Sequence, residues 1–155
     1  MNNSFKTVRG YELKRYSENP LTPSLEDYLE MIYRHCKDNT YIRIKTLSNL
    51  LNVKASSASK MTKKLRQLGL VDFEKYGIII LTEMGKEKGK FLLDRHNIIE
   101  NFLRFIGCQE KALMQTELIE HHITPSTVKN IEILCNFFND NKDILDRYLK
   151  YRENH

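Results

Sequence analysis

Tryptophan is absent from the 155 residues, and glycine and proline are scarce, at 6 and 3. So little of either excludes collagen-like and linker-dominated chains. Cysteine is nearly absent too. Cys36, Cys108 and Cys135 form no close-spaced pair, and an odd number argues against a disulfide framework. A reducing compartment, the cytoplasm, is the simpler expectation. No stretch reaches the roughly 20 apolar residues of a membrane span. The N-terminus has no apolar signal core, so no membrane partner is expected. The length leaves no room for a barrel-type enzyme or for a dinucleotide fold with a separate substrate domain. It is enough to bury a core without covalent staples.

What is present is an ordinary globular composition, 41% apolar and 29% charged, with 8 Tyr and 7 Phe as packing mass. The net charge of +5 is unevenly spread. Residues 37–90 carry 12 basic and 5 acidic side chains, an excess of +7. Residues 21–36 and 91–155 are each at −2, and residues 1–20 at +2. A compact basic block between acidic flanks can focus phosphates.

Residues 1–19 are polar and without a clear period, and read as an extension. Ser24 is the expected N-cap of a first helix, with Asp27 three positions on. Leu25, Tyr28, Leu29, Ile32 and Tyr33 carry that helix to about Cys36. Lys37-Asp38-Asn39-Thr40 breaks it. Ile42 and Ile44 suggest a short strand, and Leu47, Leu50 and Leu51 a short helix. Asn52-Val53-Lys54-Ala55 reads as a turn, after which Ser56 or Ser57 can cap another helix. Its apolar positions, Ala58, Met61, Leu65 and Leu68, lie on one face, and Gly69 is a good stop. Val71–Lys75 and Ile78–Leu81, separated by Tyr76-Gly77, read as a small hairpin. Thr82 opens a helical stretch that is clearest from about Gly85 to Phe105 and breaks at Ile106-Gly107-Cys108. Further helices are expected over about Glu110–His122, from Pro125-Ser126 through Phe138, and once in the tail beyond Asn139.

Helix, turn, helix and hairpin is the order of a winged helix-turn-helix. The second of these helices has a polar N-terminus and a basic outer face. Ser56, Ser57, Ser59 and Lys60 are candidates to reach base edges or phosphates in a major groove, with Thr62 lying beside them. Lys54, Lys60, Lys63, Lys64 and Arg66 would supply salt-dependent affinity. Lys75 is the one basic side chain near the hairpin tip, so a small contribution from the wing is expected. Taken singly, each lysine is as readily a solvated helix face. Charge block, turn and hairpin together favour duplex DNA as the partner.

Asp27 and Glu30 are three apart, about 60° from each other on one helix face. Glu117, Glu120 and His121 fall within an arc of about 100° if helical. His96 lies on a third helix. Crowded carboxylates repel and are costly to bury without a cation. Oxygen ligands with one or two imidazoles suit Mn(II), Fe(II), Co(II) or Zn(II). Spacing alone leaves a solvated acidic face open for each group.

The stretch Thr22-Pro23-Ser24-Leu25-Glu26-Asp27-Tyr28-Leu29-Glu30, the pair Arg95-His96, and Glu117-Leu118-Ile119-Glu120-His121-His122 resemble the metal-dependent repressors of the diphtheria toxin repressor family. So do Ser56-Ser57-Ala58-Ser59-Lys60-Met61, Leu81-Thr82 and Gly85-Lys86. The likeness spans about residues 21–140 and is greatest to the manganese-responsive MntR branch. The resemblance implies a mainly α fold with a small β-hairpin: a winged helix-turn-helix at 21–90, after an extension at 1–20, and a helical metal-binding and dimerisation domain at 91–155. It implies a homodimer on a palindromic operator of metal-uptake genes, with no small-molecule substrate. Carried over, the ligands are Asp27, Glu30, His96, Glu117, Glu120 and His121. Iron-responsive relatives have sulfur where this chain has Glu120, so the resemblance points to Mn(II), up to two ions per subunit with Glu117 bridging. The chain ends before the third domain of those relatives. Two departures are the N-terminal extension and a wing that looks one residue short and lacks an arginine at its tip. Two other classes stay open from the residues alone: a winged-helix regulator responding to iron or another signal, and a dimetal carboxylate enzyme. The second conflicts with the Glu-x-x-Glu-His spacing, which is not Glu-x-x-His, and leaves the basic helix unexplained.

Overall fold

The computed structural model describes residues 20–155, except for the Lys75 side chain. The N-terminal extension therefore lies outside the described residues. The chain divides into two compact units, the first ending at Leu93 and the second running Asp94–His155.

The first unit opens with helix α1, Pro23–Cys36. Its cap is Thr22, not the expected Ser24: the Thr22 hydroxyl accepts from the Leu25 N–H at 3.4 Å, and Pro23 occupies the first turn. Proline suits that position because its missing N–H would have no helical partner there anyway. Leu25, Tyr28, Leu29 and Ile32 form the buried stripe, and Glu26 and Glu30 are buried beside it. Strand β1 is only Ile42–Arg43, and Ile44, expected in the strand, instead starts helix α2, Ile44–Leu50.

Helix α3 covers Ala55–Gln67. Lys54 is its cap and makes no side-chain capping bond, so neither Ser56 nor Ser57 is the cap; both lie in the first turn. Ala58, Thr62 and Leu65 are buried, while Met61, expected at the core, is only partly so. The helix closes with a double bond: Leu70 N–H to the Leu65 carbonyl (3.0 Å) and Gly69 N–H to the Arg66 carbonyl (2.9 Å). This closure needs a left-handed residue, and Gly69 sits at φ +72°.

Strands β2, Val71–Phe73, and β3, Ile78–Leu81, form the hairpin, with a 3-10 turn at Lys75–Gly77. The antiparallel sheet has the order β1-β3-β2, with Ile79 opposite both Ile42 and Phe73. Residues of α1, α2, α3, the sheet and the following helix share one core that includes Leu29, Ile32, Leu47, Leu65 and Ile79. Helix α4, Glu83–Phe105, follows as a single helix. Thr82 caps it, accepting from the Gly85 N–H (3.0 Å) and donating to the Gly69 carbonyl (2.7 Å). A Cβ at Gly85 would stand 1.8 Å from the Leu70 carbonyl oxygen, so only glycine fits.

The second unit holds the C-terminal part of α4, helix α5 (Ala112–Ile119), a 3-10 turn at Glu120–His122, helix α6 (Pro125–Asp140) and helix α7 (Lys142–Glu153). The expected helix over Glu110–His122 is therefore shorter, and its last turn is tightened. Ile99, Leu103, Ala112 and Val128 make a small core. Phe105, Phe138 and Tyr148 add an aromatic cluster with centroids 5.0–5.5 Å apart. Leu113, Met114 and Leu118 on α5 and Ile133, Leu134 and Phe137 on α6 are exposed. The fold is mainly helical, with a winged helix-turn-helix followed by an all-helical domain. Among the described residues no helix is long and apolar enough to cross a membrane.

Candidate nucleic-acid interface and metal centre

The burial of α3 separates its two faces. Lys54, Ser56, Ser57, Lys60, Lys63, Lys64 and Arg66 are exposed, and Ser59 is half-buried. Thr62 is fully buried and faces the core, away from the reading face where sequence spacing put it. With no side-chain cap at Lys54, the first N–H groups of α3 are open to a phosphate. The Lys75 side chain lies outside the described residues.

Arg43 was missed in the sequence. It is exposed on β1, pairs in register with Ile78 beside the wing turn, and its guanidinium carbon stands 5.8 Å from the Tyr41 ring centroid. A two-residue strand carries too little pattern to flag it. Tyr76, at the wing tip, is 89% exposed with φ +63°.

On α1, Asp27 is half-buried and Glu30 buried. Arg34 donates to Glu30 Oε1 through Nε (2.8 Å) and Nη2 (2.6 Å). This cation one turn on offsets part of the cost of burying the carboxylate.

The second unit brings its four expected side chains together. His96 Nδ1 lies 3.0 Å from Glu120 Oε2 and 3.7 Å from Glu117 Oε1. His121 Nε2 is 3.8 Å from Glu120 Oε1, and Arg95 Nη2 donates to His121 Nδ1 at 3.3 Å. Glu120 is 1% exposed and His96 3%, whereas Glu117 is open to solvent. Termination of α5 at Ile119 explains the split, since the 3-10 turn buries both Glu120 and His121. His122, next in the turn, is exposed.

A carboxylate this buried calls for positive charge. Glu120 has imidazole nitrogens on two sides, and carboxylate oxygens with imidazoles are a donor set for a divalent first-row cation. The residues fit such an ion. Burial pushes the Cys36 and Cys135 thiols up.

Comparison with known proteins agrees with both regions. Residues 20–79 match the family model for the iron dependent repressor N-terminal DNA binding domain, and residues 82–148 that for its metal binding and dimerisation domain. The chain is 38% identical over 120 residues to the HTH-type transcriptional regulator MntR of Oceanobacillus iheyensis, covering 77% of this chain and 82% of that protein. It is 40% identical over 123 residues to MntR of Bacillus pumilus, covering 79% and 85%. Among solved structures, the manganese regulator SloR superposes with a TM-score of 0.64 at 28% identity, over 76% of this chain. The present chain spans about half of that longer protein, 55%.

A winged helix with a basic reading face, followed by a helical domain with a buried carboxylate-imidazole cluster, defines a metal-dependent DNA-binding regulator rather than an enzyme. The chain belongs to the iron-dependent repressor family, within its MntR branch of transcriptional regulators.

Proposed function

We propose that the protein is a manganese-activated repressor, cytoplasmic, that binds a palindromic operator of metal-uptake genes as a homodimer. The observation that carries this reading is the buried Glu120 carboxylate, with His96 Nδ1 at 3.0 Å and His121 Nε2 at 3.8 Å. Asp27, Glu30, His96, Glu117, Glu120 and His121 would hold the ion, or two ions with Glu117 shared. The ion would supply the positive charge that lets these carboxylates crowd. An oxygen donor at position 120 favours Mn(II) over softer ions.

Asp27 and Glu30 belong to the DNA-binding unit, and the other four to the helical unit. A ligand set drawn from both makes DNA affinity depend on occupancy, but only as far as the ion binds the DNA-competent arrangement more tightly than the others. Two copies joined through the exposed apolar side chains of α5 and α6 would present two α3 helices to successive major grooves. The side chains of Lys54, Ser56, Ser57, Ser59, Lys60, Lys63, Lys64 and Arg66 would face the duplex, with Lys75 and Arg43 at the wing side.

The test is fluorescence anisotropy on duplexes that the protein selects from a randomised pool. It compares apo protein with protein in Mn(II), Fe(II), Co(II) and Zn(II). Mn(II) should strengthen binding on the order of 10-fold or more. Equal affinity with and without metal overturns the switch, and a response to Fe(II) alone overturns the manganese assignment.

A further inference from the structure

We propose that the N-terminal extension, residues 1–19, docks on an apolar groove of the first unit and covers it. This contact needs no metal.

The groove lies wholly within the first unit and encloses about 400 Å³. Met84, Glu87, Lys88 and Phe91 line it from α4, at the i, i+3, i+4 and i+7 spacing of a single helix face. Leu68 and Leu70, on either side of Gly69, line it as well. Met84 is 54% exposed, and Phe91 is half-buried against the core. An apolar surface of this kind favours an apolar cover.

The chain itself supplies one. Pro20, the residue that follows the extension, is exposed and lines the groove, and Leu21 beside it is buried. Residues 1–19 are therefore tethered at the rim. A short tether acts as a high local concentration, so a modest apolar contact suffices to hold it.

The extension is polar on average but carries Phe5, Val8, Tyr11, Leu13 and Tyr16. Tyr16 is four residues from Pro20 and Leu13 is seven. At roughly 3.3–3.6 Å per residue they reach at most about 14 and 25 Å from it. The α4 stripe from Met84 to Phe91 is about 10 Å long, at ~1.5 Å per residue. Either side chain can therefore reach the whole stripe. Lys14 and Arg15, between them in sequence, complement Glu87, the one acidic residue among the described lining.

A small molecule fits this groove less well. Small-molecule sites set a few polar groups inside an apolar cavity to fix the ligand's orientation. Here the charged lining residues are Glu87, which is exposed, and Lys88, whose ammonium stands 5.2 Å from the Phe91 ring centroid. The match to the family's DNA-binding domain begins at residue 20, where the groove also begins. The cover thus lies outside the shared domain.

The experiment uses the full chain without added metal. Met84 is replaced by the photo-reactive p-benzoylphenylalanine in an equal mixture of unlabelled and heavy-nitrogen protein. Cross-links should join position 84 to residues 1–19 of the same chain, and Leu13→Ser combined with Tyr16→Ser should abolish them. Trypsin should cut after Lys14 and Arg15 on the order of 10-fold faster in Met84→Glu than in wild type, because cleavage tracks the undocked population. Cross-links between labelled and unlabelled chains overturn the proposal and make the groove an interface between copies. Equal trypsin rates, or no cross-link to residues 1–19, also overturn it. So does a lipid or other small molecule that mass spectrometry finds bound at position 84. If Met84→Glu does not fold, the cross-link and the Leu13 and Tyr16 variant still decide.

Discussion

The two units of this chain are stabilised differently. The first has a continuous apolar core in which Leu29, Ile32, Ile42, Leu47, Leu65 and Ile79 are fully buried. The second buries Ile99, Leu103, Ala112 and Val128, yet also buries His96 and Glu120 and leaves seven large apolar side chains of α5 and α6 in solvent. Apolar burial of roughly 1.5–3 kcal/mol per large side chain suffices for the first. The first also carries buried Glu26 and Glu30, but against a large core, whereas the second sets the desolvated Glu120 against a small one. A reading head that keeps one shape needs the former. A sensor whose order depends on what it binds is better served by the latter, because anything that binds only the folded state raises its stability.

The largest effect should come from breaking that conditional design at Glu120. Glu120→Leu removes a buried charge and a central ligand together. Mn(II) affinity should fall on the order of 100-fold or more, as for loss of a ligand whose supporting contacts alone are worth 10–100-fold. The metal-free variant should melt no lower than wild type, because an apolar residue of similar volume is often neutral or better at a buried ionic site. Titration calorimetry and thermal melts check the two halves. A much lower melting temperature without metal would show that Glu120 holds the second unit together by itself.

Leu134→Asp attacks the other dependence. Leu134 is exposed in the single chain. If α5 and α6 meet a second copy, the charge should weaken the dimer by about 2–4 kcal/mol, in the range of a central interface residue. Sedimentation velocity should then show monomer at concentrations where wild type is dimeric, while the isolated fold keeps its helical signal. An unchanged sedimentation coefficient would move the interface elsewhere.

In the first unit the expected changes are smaller, because its surface is not part of its fold. Lys63→Ala should lower DNA affinity several-fold across all sequences and flatten the slope of log affinity against log salt by about 1. A sequence-selective loss would make Lys63 a base reader instead.

Which parts were legible in the sequence follows from the same contrast. The apolar spacing of Leu25, Tyr28, Leu29 and Ile32 marks a helix because burial and periodicity coincide there. The caps were harder. Serines near position 56 have the right preference, but Lys54 is the cap, and the open N-terminus of α3 suits a phosphate better than a satisfied one. Glu117, Glu120 and His121 could be chosen as a group by type. That Glu120 would be buried and Glu117 exposed could not, since a helix and a 3-10 turn have nearly the same spacing over so few residues. Arg34 and Arg104, which neutralise Glu30 and Glu100, lie one turn from their partners and look like any surface lysine or arginine until burial is known.

The smallest effect is at Tyr76, where the rigid unit departs from its own rule. A tyrosine at φ +63° costs about 1–2 kcal/mol relative to the right-handed region, and its ring, 89% exposed, recovers none of this by packing. Glycine takes the conformation freely but widens the unfolded ensemble, which returns about 0.5–1 kcal/mol. Tyr76→Gly should therefore stabilise by about 0.5–1 kcal/mol, a few degrees in melting temperature. Gly77→Ala next to it, at φ +72°, should do the reverse. Both are read by thermal melts without DNA, and DNA affinity is a separate axis. If Tyr76→Gly stabilises the fold and weakens DNA binding, the strain is kept for a contact with the duplex. If it stabilises and leaves binding unchanged, the wing tip is idle, and the first unit reads DNA through α3 alone.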